Sequence, residues 1–270
     1  MRCFVNKVVT DRQVVSDIRT LIPDAGLRRR MSRVIRTAVS TAVECLGGVE
    51  GIDRADAIIT ATGFGLLTDS ERFLRNMIAD REQLLNPTPF IQSTFNTVGG
   101  QIALMRHNHC YNVTYVNRNR GFADAMLDAL MRIADGESRI VLAGVFEEQL
   151  PAQRKILDRM GLRLEEGYGT GAMFALLAAE CSGDSVAEIT CLDFPAGPMT
   201  EEECLARYAS ESGAVLMTPA ERHHGLFPLV PAQAFADAVG RIAAGEKEIV
   251  IYDGPNDGRP VIMVLRCIGR

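Results

Sequence analysis

Histidine is scarce in this 270-residue chain, with only His107, His109, His223 and His224 present. That leaves little material for histidine-based acid–base or metal chemistry. The segment His107-Asn-His-Cys110 invites a metal reading. Zinc sites need four convergent ligands, however, and no second cluster stands at a matching spacing. No metal and no cofactor is expected. The seven cysteines are scattered and odd in number, which argues against a disulfide framework and suits free thiols in a reducing compartment. Cys110 reads as a buried or loop thiol. No apolar run approaches the length of a bilayer span, and the start has no continuous apolar signal region. The expectation is a soluble cytoplasmic protein. Net charge is −5 and basic residues do not interleave with aromatics, which argues against nucleic acid as a partner. Gly63-Phe-Gly65 follows an apolar run but lacks the third glycine and the later acid of a dinucleotide loop. No internal repeat or low-complexity tract is visible.

What is present is an alternation of short apolar runs and helical patterns. Strands are expected at 57–62, 113–117, 139–145, 171–178 and 187–193. Helices are expected at 31–46, 69–80, 98–107, 121–135 and 150–160. Such buried strands separated by helices indicate an α/β fold with a parallel or mixed sheet covered on both faces. After Cys181 the pattern thins to one acidic helix at 200–212, a helix at 231–244, and a hairpin of 248–252 with 261–265 turning at Asn256-Asp-Gly258. The arginines Arg28, Arg29, Arg30, Arg33 and Arg36 lie on the 31–46 helical segment or just before it. They read as a solvated face paired with local carboxylates, or as a patch that steers an acidic carrier protein.

The most informative stretch is 112–148. A short strand (Val113-Thr-Tyr-Val116), a turn (Asn117 to Gly121) and a helix carrying Phe122, Ala125, Met126, Ala129, Leu130 and Ile133 make a strand-turn-helix elbow. Such a junction lifts one side chain toward a helix N-terminus, where backbone N–H groups favour developing negative charge. Enzymes place Ser or Cys there; this chain has asparagine.

Several segments resemble β-ketoacyl synthases of the thiolase-like fold. They are Ala61-Thr-Gly-Phe-Gly65, Pro87-Thr-Pro-Phe90, Asn96-Thr-Val-Gly-Gly-Gln-Ile-Ala103, Gly136-Glu-Ser-Arg-Ile-Val-Leu-Ala-Gly144 with Glu147-Glu148, and Glu166-Gly-Tyr-Gly-Thr-Gly-Ala-Met173. The likeness is greatest to short ketosynthase-like, chain-length-factor-like proteins of bacterial polyene and pigment pathways. It implies a five-layer α-β-α-β-α architecture in one domain, with a first half at 1–182 and a reduced second half at 183–270. It also places the family's catalytic cysteine on Asn119, between Arg118 and Arg120. The family's first histidine segment has no counterpart, and its second falls near His224 and Gly225.

An amide is neither nucleophile nor base near neutral pH, so no catalytic residue is assigned. The resemblance then implies a non-catalytic subunit, a homodimer or a heterodimer with a ketosynthase, that closes the partner's acyl tunnel with residues such as Phe90, Phe95 and Met105. An acyl carrier protein is a further partner. The alternatives are a malonyl-thioester decarboxylase, with Arg118 or Arg120 on the carboxylate, and a stand-alone acyl-thioester binding protein. The arginines otherwise serve as ion pairs at a subunit interface.

Overall fold

The structure, a computed structural model, describes residues 2–83, 85–118, 120–162, 169–210, 213–219, 227–254 and 260–269. Ten helices and nine strands are assigned among them. The chain opens with β1 (Cys3–Thr10), followed by the helices α1 (Ile18–Leu21), α2 (Ala25–Arg30) and α3 (Arg33–Cys45). Then come β2 (Ala57–Thr62), α4 (Leu67–Ala79), α5 (Pro87–Gln92), α6 (Thr97–Leu104), β3 (Tyr111–Val116), α7 (Gly121–Ala134), β4 (Ile140–Glu147), α8 (Pro151–Arg159) and β5 (Gly171–Ala178). The remainder is β6 (Ala187–Asp193), α9 (Glu201–Tyr208), β7 (Val215–Met217), α10 (Leu229–Ala243), β8 (Glu248–Asp253) and β9 (Val261–Arg266).

The strands hydrogen-bond in the order β3-β2-β4-β5-β1-β6-β9-β8-β7. Read outward from the antiparallel β1–β6 junction, both directions repeat one pattern. Two antiparallel pairings (β1–β5 and β5–β4; β6–β9 and β9–β8) are followed by a parallel one (β4–β2; β8–β7). The first direction adds β3, parallel to β2. The chain therefore contains a topological repeat that its residues do not advertise. Pairing order is conserved between the two directions while segment lengths differ, so no period appears in the sequence.

Alternation along the strands distributes the core into layers. Ile59, Ala143, Met173, Ile249, Ile251 and Met263 point to one face, where α7 and α10 supply Met126, Leu130, Phe235 and Val239. Ile58, Leu142, Phe146 and Phe174 point the other way, onto α3 and α6. On the far side Val250, Ile262 and Val264 meet Cys204 of α9. The result is the expected five-layer order: α3/α6, the β3-to-β1 part of the one sheet, α7/α10, its β6-to-β7 part, and α9.

Two local expectations are revised. The helix anticipated over 31–46 begins at Arg33, because Met31 and Ser32 are extended (ψ 134 and 170) and separate it from α2. Arg28 does not join a solvated ion pair; its guanidinium donates back to the carbonyls of Ile22 and Pro23. The strand β1, unanticipated, occupies the middle of the sheet. The turn at Asn256-Asp-Gly258 lies outside the described residues, while the strands it would join are antiparallel partners. Among the described residues no helix is long and apolar enough to cross a membrane.

Gly144 shows how tightly β4 and β5 are packed. A Cβ there would lie 2.2 Å from Phe174 Cδ1 and 2.6 Å from the Met173 carbonyl oxygen, the latter a backbone atom that cannot step aside. Gly144→Ala is expected to cost about 2–3 kcal/mol by overpacking, visible as a lower urea midpoint. Gly100→Ala, in α6 with no atom within 4 Å of the new methyl, is the control and should be neutral or stabilising by up to about 1 kcal/mol.

Candidate functional site

The elbow forms where the C-terminal ends of β2 and β4 face the starts of α7 and α10. A Cβ on Gly121 would lie 3.4 Å from Pro228 Cβ and 3.5 Å from Ala61 Cβ, so the two helix N-termini and the end of β2 converge. Phe122, in the first turn of α7, and Phe235, in the second turn of α10, pack with tilted rings whose centroids are 5.6 Å apart. Helix α7 begins at Gly121, as its apolar spacing predicts, and Phe122, Ala125, Met126, Ala129, Leu130 and Ile133 are all buried. Asn117 sets its first turn. Its carbonyl accepts from Gly121 N–H at 2.9 Å, its side-chain oxygen accepts from Arg120 N–H at 3.4 Å, and its amide donates to Asp124 at 2.9 Å.

Asn119, His224 and Gly225 lie outside the described residues. Of the expected site residues, Arg118 and Arg120 can be placed. Arg118 is exposed with its guanidinium 5.6 Å from the Phe64 ring centroid, and Arg120 is half-buried, 4.3 Å over Phe194. The Arg120 Nε is buried and meets no hydrogen-bond acceptor. Neither arginine forms an ion pair with another described residue of the chain. A small apolar cluster of Phe64, Leu157, Leu162, Phe227 and Val230 stands beside Arg118, with Phe64 and Phe227 centroids 5.3 Å apart.

Beneath the elbow lies a set of buried acids whose chemistry the sequence pattern did not disclose. Glu147, at the end of β4, is fully buried and accepts from Gly63 N–H and from Thr62 Oγ1 at 3.2 Å. Its second oxygen has no partner. Burial pushes its carboxyl up to about 8, against the pull of those bonds. Glu148 accepts from Thr68 N–H at 2.7 Å and Thr68 Oγ1 at 2.6 Å, and burial raises it too. Asp69 is 1 % exposed, both of its oxygens lack a hydrogen-bond partner, and burial raises its carboxyl above the usual range.

Glu147 and Glu148 fasten the 62–68 segment to the end of β4. The backbone N–H of Gly63 is thereby occupied by a carboxyl oxygen of the chain itself. The signal was two adjacent acids ending an apolar strand, but Thr62, Gly63 and Thr68 stand about 80 residues away in sequence.

Other candidates fall elsewhere. Cys110 precedes β3, at the end of that strand remote from the elbow, about 20 Å away at ~3.3 Å per residue. Its thiol is half-buried and raised by that burial. His107 and His109 are exposed at the same remote end. All seven cysteines are free, and among the described residues no cluster of His, Cys, Asp or Glu could hold a metal ion. Phe90 and Phe95 are 56 % and 46 % exposed, so they are surface residues and not core; Met105 packs half-buried against the outer core. Chemically, the described elbow offers hydrogen-bond donors and positive charge, with no Ser, Cys or His in the described part of the turn; the carboxyls at hand are Asp124, bonded to Asn117, and the buried Glu147.

Residues 11–189 match the sequence profile of the β-ketoacyl synthase N-terminal domain, more than half of the chain. The chain belongs to the β-ketoacyl synthase family. Among solved structures, this β-ketoacyl synthase-like chain is similar to the ishigamide ketosynthase/chain length factor, with TM-score 0.70 at 17% identity over 94% of this chain and 86% of that one. It is similar also to a type II polyketide synthase acyl-carrier protein complex with its ketosynthase bound to the hexaketide, with TM-score 0.68 at 13% identity over 99% of each chain. A ketosynthase in complex with its chain length factor from Xenorhabdus doucetiae gives TM-score 0.60 at 16% identity, over 98% of this chain and 99% of that one. At such identities the likeness is one of fold. A search of curated protein sequences gives no match.

Proposed function

We propose that the protein is a non-catalytic β-ketoacyl synthase-like subunit of polyketide- or fatty-acid-type biosynthesis, which pairs with an active ketosynthase and shapes its acyl tunnel. The observation that supports this most directly is the elbow. On our reading the family's cysteine position is Asn119, between Arg118 and Arg120, the described part of the 117–121 turn holds no Ser, Cys or His, and the Asp124 carboxylate beside it accepts from the Asn117 amide. The second support is an open flank. β3 is a terminal strand of the sheet with Val116 exposed, and α5, α6 and the turn between them leave Phe90, Ile91, Phe95 and Leu104 exposed. We read residues 1–182 as a ketosynthase-like half and 183–270 as a reduced one, in which one strand fewer is left to enclose a substrate.

On this reading the purified protein, incubated with malonyl- and acyl-carrier protein, is expected to gain no acyl mass and release no carbon dioxide. Intact-mass spectrometry checks the first and headspace analysis the second. Acylation of any cysteine would overturn the reading.

A second reading rests on Arg120. Its buried Nε has a hydrogen to donate and no acceptor, which would suit a thioester carboxylate held for decarboxylation, with the Asn119 amide on the resulting enolate. That reading expects carbon dioxide release from malonyl-carrier protein, lost in Asn119→Ala and in Arg120→Gln.

A further inference from the structure

Helix α3 has two faces of different chemistry. Val34, Ile35, Ala38, Val39 and Ala42 enter the outer core. Arg33, Arg36, Thr37, Ser40 and Thr41 recur at helical spacing on the other side, where they form one wall of a groove of about 390 Å³. The facing wall is the 11–21 segment, with Val14, Ile18 and Leu21 as its apolar part. This volume is within the range of small-molecule sites.

Two features distinguish the groove from an ordinary solvated helix face. Arg33 and Arg36 form no ion pair with another described residue, although both stand on one side of the groove. Ser40, one turn beyond Arg36, is 7 % exposed and its hydroxyl has no hydrogen-bond partner. A buried hydroxyl left unpaired is costly, so it marks a place for a polar atom that the chain does not supply. Thr41, by contrast, is satisfied by donating to the Thr37 carbonyl at 2.8 Å. The one acid on the groove, Asp11, accepts from Ala172 N–H at 3.3 Å.

We infer that this groove binds a small amphiphilic oxyanion. The anionic head pairs with Arg33 and Arg36, a further polar atom meets the Ser40 hydroxyl, and a short apolar chain lies along Val14, Ile18 and Leu21. Guanidinium groups take phosphate and carboxylate heads alike, and either source satisfies the geometry. The groove sits on the outer helical layer, across the sheet from α7, so it does not depend on the reading of the elbow.

The test is calorimetric titration of the full chain with octyl phosphate, octanoate and inorganic phosphate. Saturable one-to-one binding of octyl phosphate or octanoate is expected, and the stronger of the two identifies the head. Inorganic phosphate should bind at least tenfold more weakly, because it leaves the apolar wall unused. Arg33→Gln with Arg36→Gln should weaken binding at least tenfold and cancel the ligand-induced rise in Tm, and Ser40→Ala should weaken it severalfold. Both arginines are exposed, so the double variant should fold as the parent does, checked by circular dichroism. Absence of saturable binding by either amphiphile, or binding unchanged in the double variant, would overturn the inference. Inorganic phosphate binding as tightly as octyl phosphate would remove the apolar wall from it.

Discussion

Raising the pH from about 5 to about 8 is expected to destabilise the protein, and Glu147→Gln is expected to remove most of that dependence. Glu147 is fully buried, with an ordinary carboxyl value of 4.5 raised to about 8 in the fold. Between those two values the unfolded chain has released the proton and the folded chain still holds it. Stability therefore falls as pH rises through the window, by about 1.4 kcal/mol per pH unit, and levels off above about 8. Glu148 and Asp69 are raised in the same direction and add to the slope. Asp24, Asp53 and Glu188 are lowered, so their contribution lies at more acidic pH, below this window. A glutamine at 147 keeps an acceptor for Gly63 N–H and the Thr62 hydroxyl. Its amide nitrogen takes the place of an oxygen that has no partner now, a cost that does not vary with pH. Urea unfolding of parent and variant at several pH values checks this. A parent with flat stability from pH 5 to 8 would show that Glu147 is ionised in the fold.

The second large effect concerns assembly. β3 ends the sheet, with Val116 on that edge at 46 % exposure, and Phe90 of α5, at 56 %, is a further exposed apolar side chain. Co-expressed with a ketosynthase of the same pathway, the chain is expected to elute as a mixed dimer. Expressed alone, it should elute as a dimer of itself. Val116→Glu with Phe90→Glu should weaken either dimer by two orders of magnitude or more, since each desolvated charge costs over 1.4 kcal/mol, the equivalent of a factor of ten. Because both side chains are exposed in the single chain, its circular dichroism should not change. Size exclusion with light scattering decides the matter, and a parent that stays monomeric with and without the ketosynthase would refute the pairing.

The parts of this fold that were legible in sequence are those where one element states its own pattern. Gly171–Ala178 and Ala187–Asp193 occupy the expected ranges, and α7 starts at the expected Gly121. β1 was not legible. Its residues Cys3–Thr10 include Asn6 and Lys7, and its burial follows from pairing with β5 and β6, more than 160 residues away. The break before α3 was hidden because Met31 continues the apolar spacing although its backbone is extended. At the site, the order of the elbow was visible and its foundation was not. The partners of Glu147 and Glu148 come from the end of β2, the glycine after it and the start of α4, and Phe227, which packs on Phe64, comes from the approach to α10. The free hydroxyl of Ser40 depends on the groove around it, which no spacing rule reports.

The two ends of the sheet are unequal. One terminates in β3, six residues long, and the other in β7, with three. A ladder of six residues can seat a second strand; a stub of three offers too few backbone groups to hold one. Edge-to-edge growth is then self-terminating: a second molecule joined through the long edge leaves only short ones outward, so the product is a closed pair and not a filament. The three-residue β7 thus gives the protein protection against polymerisation at that end of the sheet.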